Sequence, residues 1–112
     1  MGGDIDGEAR DDFSGSSVSL SSDGTRLAIG TPANDGNGIS SGNVRVYEYT
    51  SGTWVQMGSD IDGDAEGDYS GQSVSLSDDG FILAIGANYN DGNGIDAGQV
   101  RIYQYEGSNW VQ

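Results

Sequence analysis

The chain has 112 residues, of which 34% are hydrophobic and 20 are glycine, so there is room for one ordinary domain but not for a thick core. Eighteen acidic residues face four arginines and no lysine, and the net charge of −14 repels phosphate backbones and anionic lipid surfaces, which argues against a nucleic-acid partner. Histidine and cysteine are absent, which removes thiol chemistry, disulfides, soft-metal sites and any Ser-His-Asp arrangement, and no apolar run approaches the roughly 18 residues needed for membrane insertion.

In chain order, the first predicted strand is Ser17 to Ser21, where Val18 and Leu20 alternate with serines, and Ser22-Asp23-Gly24 supplies a tight turn. Arg26 to Gly30 follows with the unbroken run Leu27-Ala28-Ile29, the pattern of a strand covered on both faces. Thr31 to Gly42 is rich in glycine and asparagine and reads as a long loop. The third strand, Val44 to Tyr49, points Val44 and Val46 one way and Arg45, Tyr47 and Tyr49 the other. A fourth runs from Thr53 to about Ile61 as one extended outer strand through Trp54. Met1-Gly2-Gly3-Asp4 has none of the features of a signal peptide.

A shift by half the length, 112/2 = 56 positions, lays the chain on itself without a gap. Asp4-Ile5-Asp6-Gly7 falls on Asp60-Ile61-Asp62-Gly63, Ser17-Val18-Ser19-Leu20 on Ser73-Val74-Ser75-Leu76, and Leu27-Ala28-Ile29-Gly30 on Leu83-Ala84-Ile85-Gly86. Asn34-Asp35-Gly36-Asn37-Gly38-Ile39 recurs at 90–95, and Trp54-Val55-Gln56 recurs as the last three residues. Several strands per unit at this period predict an all-β protein of two four-stranded antiparallel propeller blades, 1–56 and 57–112, together forming one two-blade unit.

Phe13-Ser14-Gly15-Ser16-Ser17-Val18-Ser19 and Tyr69-Ser70-Gly71-Gln72-Ser73-Val74-Ser75 resemble the Phe-Gly start of the FG-GAP repeat of integrin α-subunit propellers and many bacterial surface proteins. Leu27 to Pro32 is similar to its Gly-Ala-Pro end, and Gly42-Asn43-Val44-Arg45-Val46-Tyr47 to the strand that follows. An extra serine separates the aromatic residue from glycine, and the second copy reads Gly86-Ala87-Asn88 without proline. The resemblance implies a propeller of non-enzymatic interaction type and an extracellular or cell-surface source. Calcium-binding members place an Asp-rich loop between the first two strands, but Ser21 to Thr25 and Ser77 to Phe81 lack that pattern, so calcium is not carried over to them.

Inter-blade packing is assigned to Val18, Leu20, Leu27, Ile29, Val44, Val46, Tyr47, Tyr49 and Trp54, and in the second copy to Val74, Leu76, Leu83, Ile85, Val100, Ile102, Tyr103, Tyr105 and Trp110. A blade about 4 strands wide and 5 residues long has a footprint of roughly 300 Å² per face. Covering two such faces is worth roughly 15 kcal/mol before association costs, an upper bound. The expected partner is therefore the chain itself, in a closed cyclic trimer or tetramer with Met1 near Gln112 of its neighbour. A period ending on the last residue also suggests an engineered or excised piece.

Two acidic loops are candidate metal sites. Asp60, Asp62, Asp64, Glu66 and Asp68, echoed by Asp4, Asp6, Glu8 and Asp12, place oxygen ligands at alternate positions, which suits a hard cation such as Ca2+. A solvated acidic loop that limits edge-to-edge aggregation is the preferred reading of these residues. Asp35 and Asn37, with Asp91, Asn93 and Asp96, form the second candidate, which Asx-turns account for without a ligand. Tyr89 is the aromatic residue best suited to bind a glycan or protein ligand, and a calcium-dependent or glycan-binding adhesion module is the alternative function. Near-identical copies do not supply the two unlike carboxylate environments that acid–base catalysis needs, so no catalytic residue is assigned.

Overall fold

The computed structural model describes residues 1–7, 13–35, 38–87 and 98–112. Its first sheet contains β1 (Ser17–Leu20), β2 (Arg26–Thr31), β3 (Asn43–Thr50) and β4 (Thr53–Gln56), antiparallel neighbours in that order, with the short β5 (Ile61–Asp62) also paired to β3. The second holds β6 (Ser73–Leu76), β7 (Ile82–Ala87), β8 (Gln99–Glu106) and β9 (Asn109–Val111) in the same arrangement. The described residues are thus all-β, with two four-stranded antiparallel blades and one added two-residue strand.

Each β1–β2 type turn is tied by an aspartate. Asp23 accepts from the Thr25 backbone N–H at 3.0 Å and hydroxyl at 2.7 Å, and Asp79 accepts from the Phe81 N–H at 2.9 Å. These short-range bonds replace ladder bonds where the chain reverses.

The extended outer strand expected through Trp54 to Ile61 is corrected by the structure. Pairing with β3 runs to Gln56, and the Met57 N–H still donates to the Val46 carbonyl at 2.7 Å. Gly58 then takes a φ of 72°, which turns the chain out of the ladder, and pairing resumes at Ile61 opposite Val44. Arg45 bridges the interruption by pairing with Asp60 at 2.8 Å.

Strand alternation gives each sheet two unlike faces. Ser17, Ser19, Ala28, Gly30, Val44 and Val46 share the small-residue face of the first sheet, while Val18, Leu20, Leu27, Ile29, Tyr47, Tyr49 and Trp54 share its aromatic face. The core lies where the small-residue face of the first sheet meets the aromatic face of the second. There Ala28, Val44 and Val46 pack with Leu76, Leu83, Ile85 and Trp110, and Met57 and Ile61 join from the crossing segment. Apolar burial at this junction is the main favourable term in the fold.

The approach is close because one partner has no side chain. A Cβ on Gly30 would run into the Gly71 carbonyl oxygen, so glycine there lets the two backbones meet. Ser17 Oγ donates to that same carbonyl at 2.6 Å, the Leu76 N–H donates to Ser19 Oγ at 3.0 Å, and the Ser22 N–H to the Asp78 carbonyl at 3.0 Å. Beside them, the loop before β3 takes N–H groups from the second repeat: Tyr69 to the Ser40 carbonyl at 3.0 Å and Ser70 to that of Ser41 at 2.9 Å. Tyr69 holds a left-handed φ of 55°, as its repeat copy Phe13 does at 61°, a costly conformation for aromatic residues that surrounding bonds must enforce.

Candidate functional site

The 56-residue offset makes every packing residue visible in two settings. On the aromatic face, Leu76 and Leu83 are 9% and 0% exposed, and Ile85 and Trp110 are also buried, with Val74, Tyr103 and Tyr105 packed partly against them. The identical residues of the first sheet stand at the free side of the chain. Val18 and Leu20 are 61% and 56% exposed, and Leu27, Tyr47, Tyr49 and Trp54 are half-buried. The small-residue face shows the reverse: Val44 and Val46 are fully buried, whereas their copies Val100 and Ile102 are 68% and 53% exposed.

The chain therefore presents at its two sides the two surfaces that it joins in its middle. Ser73, Ser75, Ala84, Gly86 and Val100 line an open apolar groove on the second sheet. Its counterpart on the first sheet, along Ser17, Ser19, Ala28, Gly30 and Val44, is filled by residues 71–76.

A short N-terminal segment partly covers the free aromatic face. The Trp54 indole N–H donates to the Met1 carbonyl at 3.3 Å, as the Trp110 indole donates to the Met57 carbonyl at 3.0 Å. Tyr49 meets Trp54 edge-on with ring centroids 5.2 Å apart, repeated by Tyr105 and Trp110 at 5.1 Å. Ile5, Asp6 and Ser14 close over Ile29, Arg45 and Tyr47, which is why Ile29 is only 7% exposed on an otherwise open face.

The acidic loop residues engage arginines and turns. Asp60 accepts from both Arg45 and Gln56, and the Arg45 guanidinium holds its carboxyl below the ordinary value of 3.8. Asp64 pairs with Arg101. Asp68 is buried, while Asp4, Asp6, Asp62 and Glu66 are exposed. Asp35 accepts from the Ser40 N–H at 2.8 Å and so shapes its own loop. Among the described residues, no three acidic side chains converge where they could hold a metal ion. Glu8, Asp12, Asn37, Tyr89, Asp91, Asn93 and Asp96 lie outside the described residues.

One feature of the junction escaped sequence reasoning. Arg26 lies with its guanidinium carbon 4.3 Å from the centroid of the Phe81 ring, donates to the Asp79 carbonyl at 2.9 Å and pairs with Glu48 at 2.8 Å. The signal was a coupled departure from the repeat: Arg26 becomes Ile82 and Phe81 corresponds to Thr25, so the two positions that touch across the junction both differ between copies.

A family model for the FG-GAP repeat matches residues 4–47 and again residues 54–103. No curated protein matches the chain.

Proposed function

The chain belongs to the FG-GAP repeat family, whose β-propeller-type blades serve as interaction modules, and on that premise we propose that it is a non-enzymatic scaffold that closes a propeller ring with further copies of itself. The observation that carries this is the mismatch in burial between identical residues. Leu76 and Leu83 are covered by the first sheet, while Leu20, in the same local sequence, is 56% exposed; Val46 is covered and its copy Ile102 is not. The small-residue face of one chain's second blade matches the aromatic face of the next chain's first blade, because the same pair of faces already fits inside each chain.

Such a contact is heterologous, so it continues until the rotation closes. Propellers of four to eight blades are the geometrically stable set, and trimers or tetramers, with six or eight blades, are favoured. Closure covers Val18, Leu20, Val100 and Ile102 and removes apolar patches that a soluble monomer rarely leaves open. Multi-angle light scattering with native mass spectrometry tests the proposal directly. The expected result is one closed species of three or four copies at micromolar concentration; a mass of a single copy there overturns it.

A further inference from the structure

We propose that Ile82 of one copy and Thr25 of the next meet across the contact between copies and set its strength, at the place that Arg26 and Phe81 occupy in the junction within the chain. This rests on the ring reading above but concerns which side chains decide how tightly copies hold, not whether they assemble.

Within the chain, Arg26 opens β2 and stands opposite Glu48 of β3. Its guanidinium pairs with Glu48 in its own sheet at 2.8 Å, donates to the Asp79 carbonyl of the other sheet at 2.9 Å and holds its carbon 4.3 Å from the centroid of the Phe81 ring. The stem rests on the Asp79-Gly80 turn, where a Cβ on Gly80 would collide with Arg26 Cδ. Phe81 is presented by its stack on Tyr105, with centroids 6.1 Å apart, and by its carbonyl, which accepts from the Tyr105 N–H at 2.8 Å. The arginine side chain is only 21% exposed, so ring, carboxylate and carbonyl replace the water that a free guanidinium would hold.

The repeat offset carries this contact to the two free sides of the chain. The turn that would receive it is the same: Gly24 has a φ of 76° and Gly80 one of 78°, Asp23 accepts from the Thr25 N–H as Asp79 does from that of Phe81, and the Thr25 carbonyl accepts from the Tyr49 N–H at 2.8 Å. A Cβ on Gly24 nevertheless meets nothing within 4 Å, because no side chain of the same chain rests there. Three side chains change together. Arg26 becomes Ile82, its counter-ion Glu48 becomes Gln104, and Phe81 corresponds to Thr25. Around them Leu27-Ala28-Ile29-Gly30 recurs as Leu83-Ala84-Ile85-Gly86 and Tyr49 as Tyr105. A carboxylate at 104 without its arginine would be an unpaired charge at an apolar contact, and the neutral glutamine removes it along with the cation.

Ile82 is 44% exposed and sits on the same face as Ile102, at the margin of the open groove of the second sheet. When the next copy docks in the geometry of the chain's own junction, Ile82 comes to rest on the Asp23-Gly24 turn beside Thr25. An arginine over an aromatic ring at a half-desolvated site is worth about fivefold in an equilibrium constant. Threonine against isoleucine offers apolar contact alone. The contact between copies is therefore the weaker of two otherwise equivalent junctions, and residues 25, 82 and 104 are where its strength is set.

A double-mutant cycle tests this in the full chain. Thr25→Phe and Ile82→Arg are made separately and together, each with Gln104→Glu so that the new cation has the counter-ion that Arg26 has. None of the three positions is buried, and Phe81 shows that this turn accepts phenylalanine, so the fold is not at stake. Dissociation is followed by mass photometry on dilution, with urea added where dilution alone is insufficient. The combined variant should hold together about fivefold more tightly per contact than the two separate effects multiplied. Rings of the expected mass in which the two substitutions act independently overturn this contact while leaving the ring intact. A single-copy mass for the unmodified chain overturns both.

Discussion

Leu83→Ala asks whether the junction between the two sheets is the core of the chain. Leu83 is 0% exposed, is the largest fully buried side chain among the described residues, and belongs to the core cluster that it shares with Ala28, Val44 and Val46 of the first sheet. Truncating such a leucine removes its transfer free energy and leaves a cavity, a loss of about 3 kcal/mol within the usual range for this change. With an unfolding entropy of about 2.1 cal/mol/K per residue, the chain has about 0.24 kcal/mol/K, so Tm should fall by about 12 °C. Circular dichroism melts, with calorimetry to check two-state behaviour, measure it. A fall below about 3 °C would refute the assignment, because the cavity would then have to lie in a region that contributes little. The repeat copy supplies an internal comparison. Leu27 is only half-buried in one chain, so Leu27→Ala should cost about half as much in dilute monomer, and would approach the Leu83 value if the proposed ring forms.

Two further outcomes follow from the same geometry. Gly30→Ala pushes a methyl group into the Gly71 carbonyl oxygen and should destabilise each chain by about 2 kcal/mol, whereas the Cβ added in Gly86→Ala meets only the Ser73 hydroxyl, which can rotate away. Gly86→Ala should accordingly leave the monomer melt unchanged but lower the mass seen in light scattering; a normal ring would show that Gly86 does not occupy a junction. Acid should weaken the fold in a defined window. Hydrogen bonds from Arg45 to Asp60, from the Thr25 side chain to Asp23 and from the Phe81 backbone to Asp79 all hold those carboxyls below 3.8, so their stabilisation is complete above that pH and is lost as pH falls through the lower folded values. Melts between about pH 5 and pH 2 should show a loss that Asp60→Asn makes shallower, and superimposable curves would exclude this pair as a contributor.

Much of the fold was legible because short-range pattern and repeat period agreed. Alternating Ser-Val-Ser-Leu marked β1 and β6, Leu-Ala-Ile marked the centre of β2 and β7, and aspartate with glycine marked the turns between them. The break after Gln56 was not read, although Gly58-Ser59 stood inside the predicted strand, because the apolar residues on either side keep the alternation that suggested continuity. The difference between Leu20 and Leu76 could not be read at all. Their neighbours are the same four residues, so burial is decided by which sheet lies opposite and not by any local preference. Arg26 and Phe81 were hidden for a related reason: each looks ordinary in its own strand or turn, and only the close packing of the two sheets brings together residues 55 apart in sequence.

The Arg26–Phe81 pair also makes the halves of the chain non-interchangeable. Two copies of the first repeat joined in tandem would set the arginine against Thr25, and two copies of the second would set Ile82 against the phenyl ring, so either uniform duplication forfeits the stacked cation. Only the mixed order retains it at the junction between the two sheets; in the proposed ring, Thr25 and Ile82 would meet instead at the contact between copies. Two substitutions thereby give the chain a direction that its repeat alone would lack, because the arginine-on-phenyl contact forms only when the first repeat precedes the second.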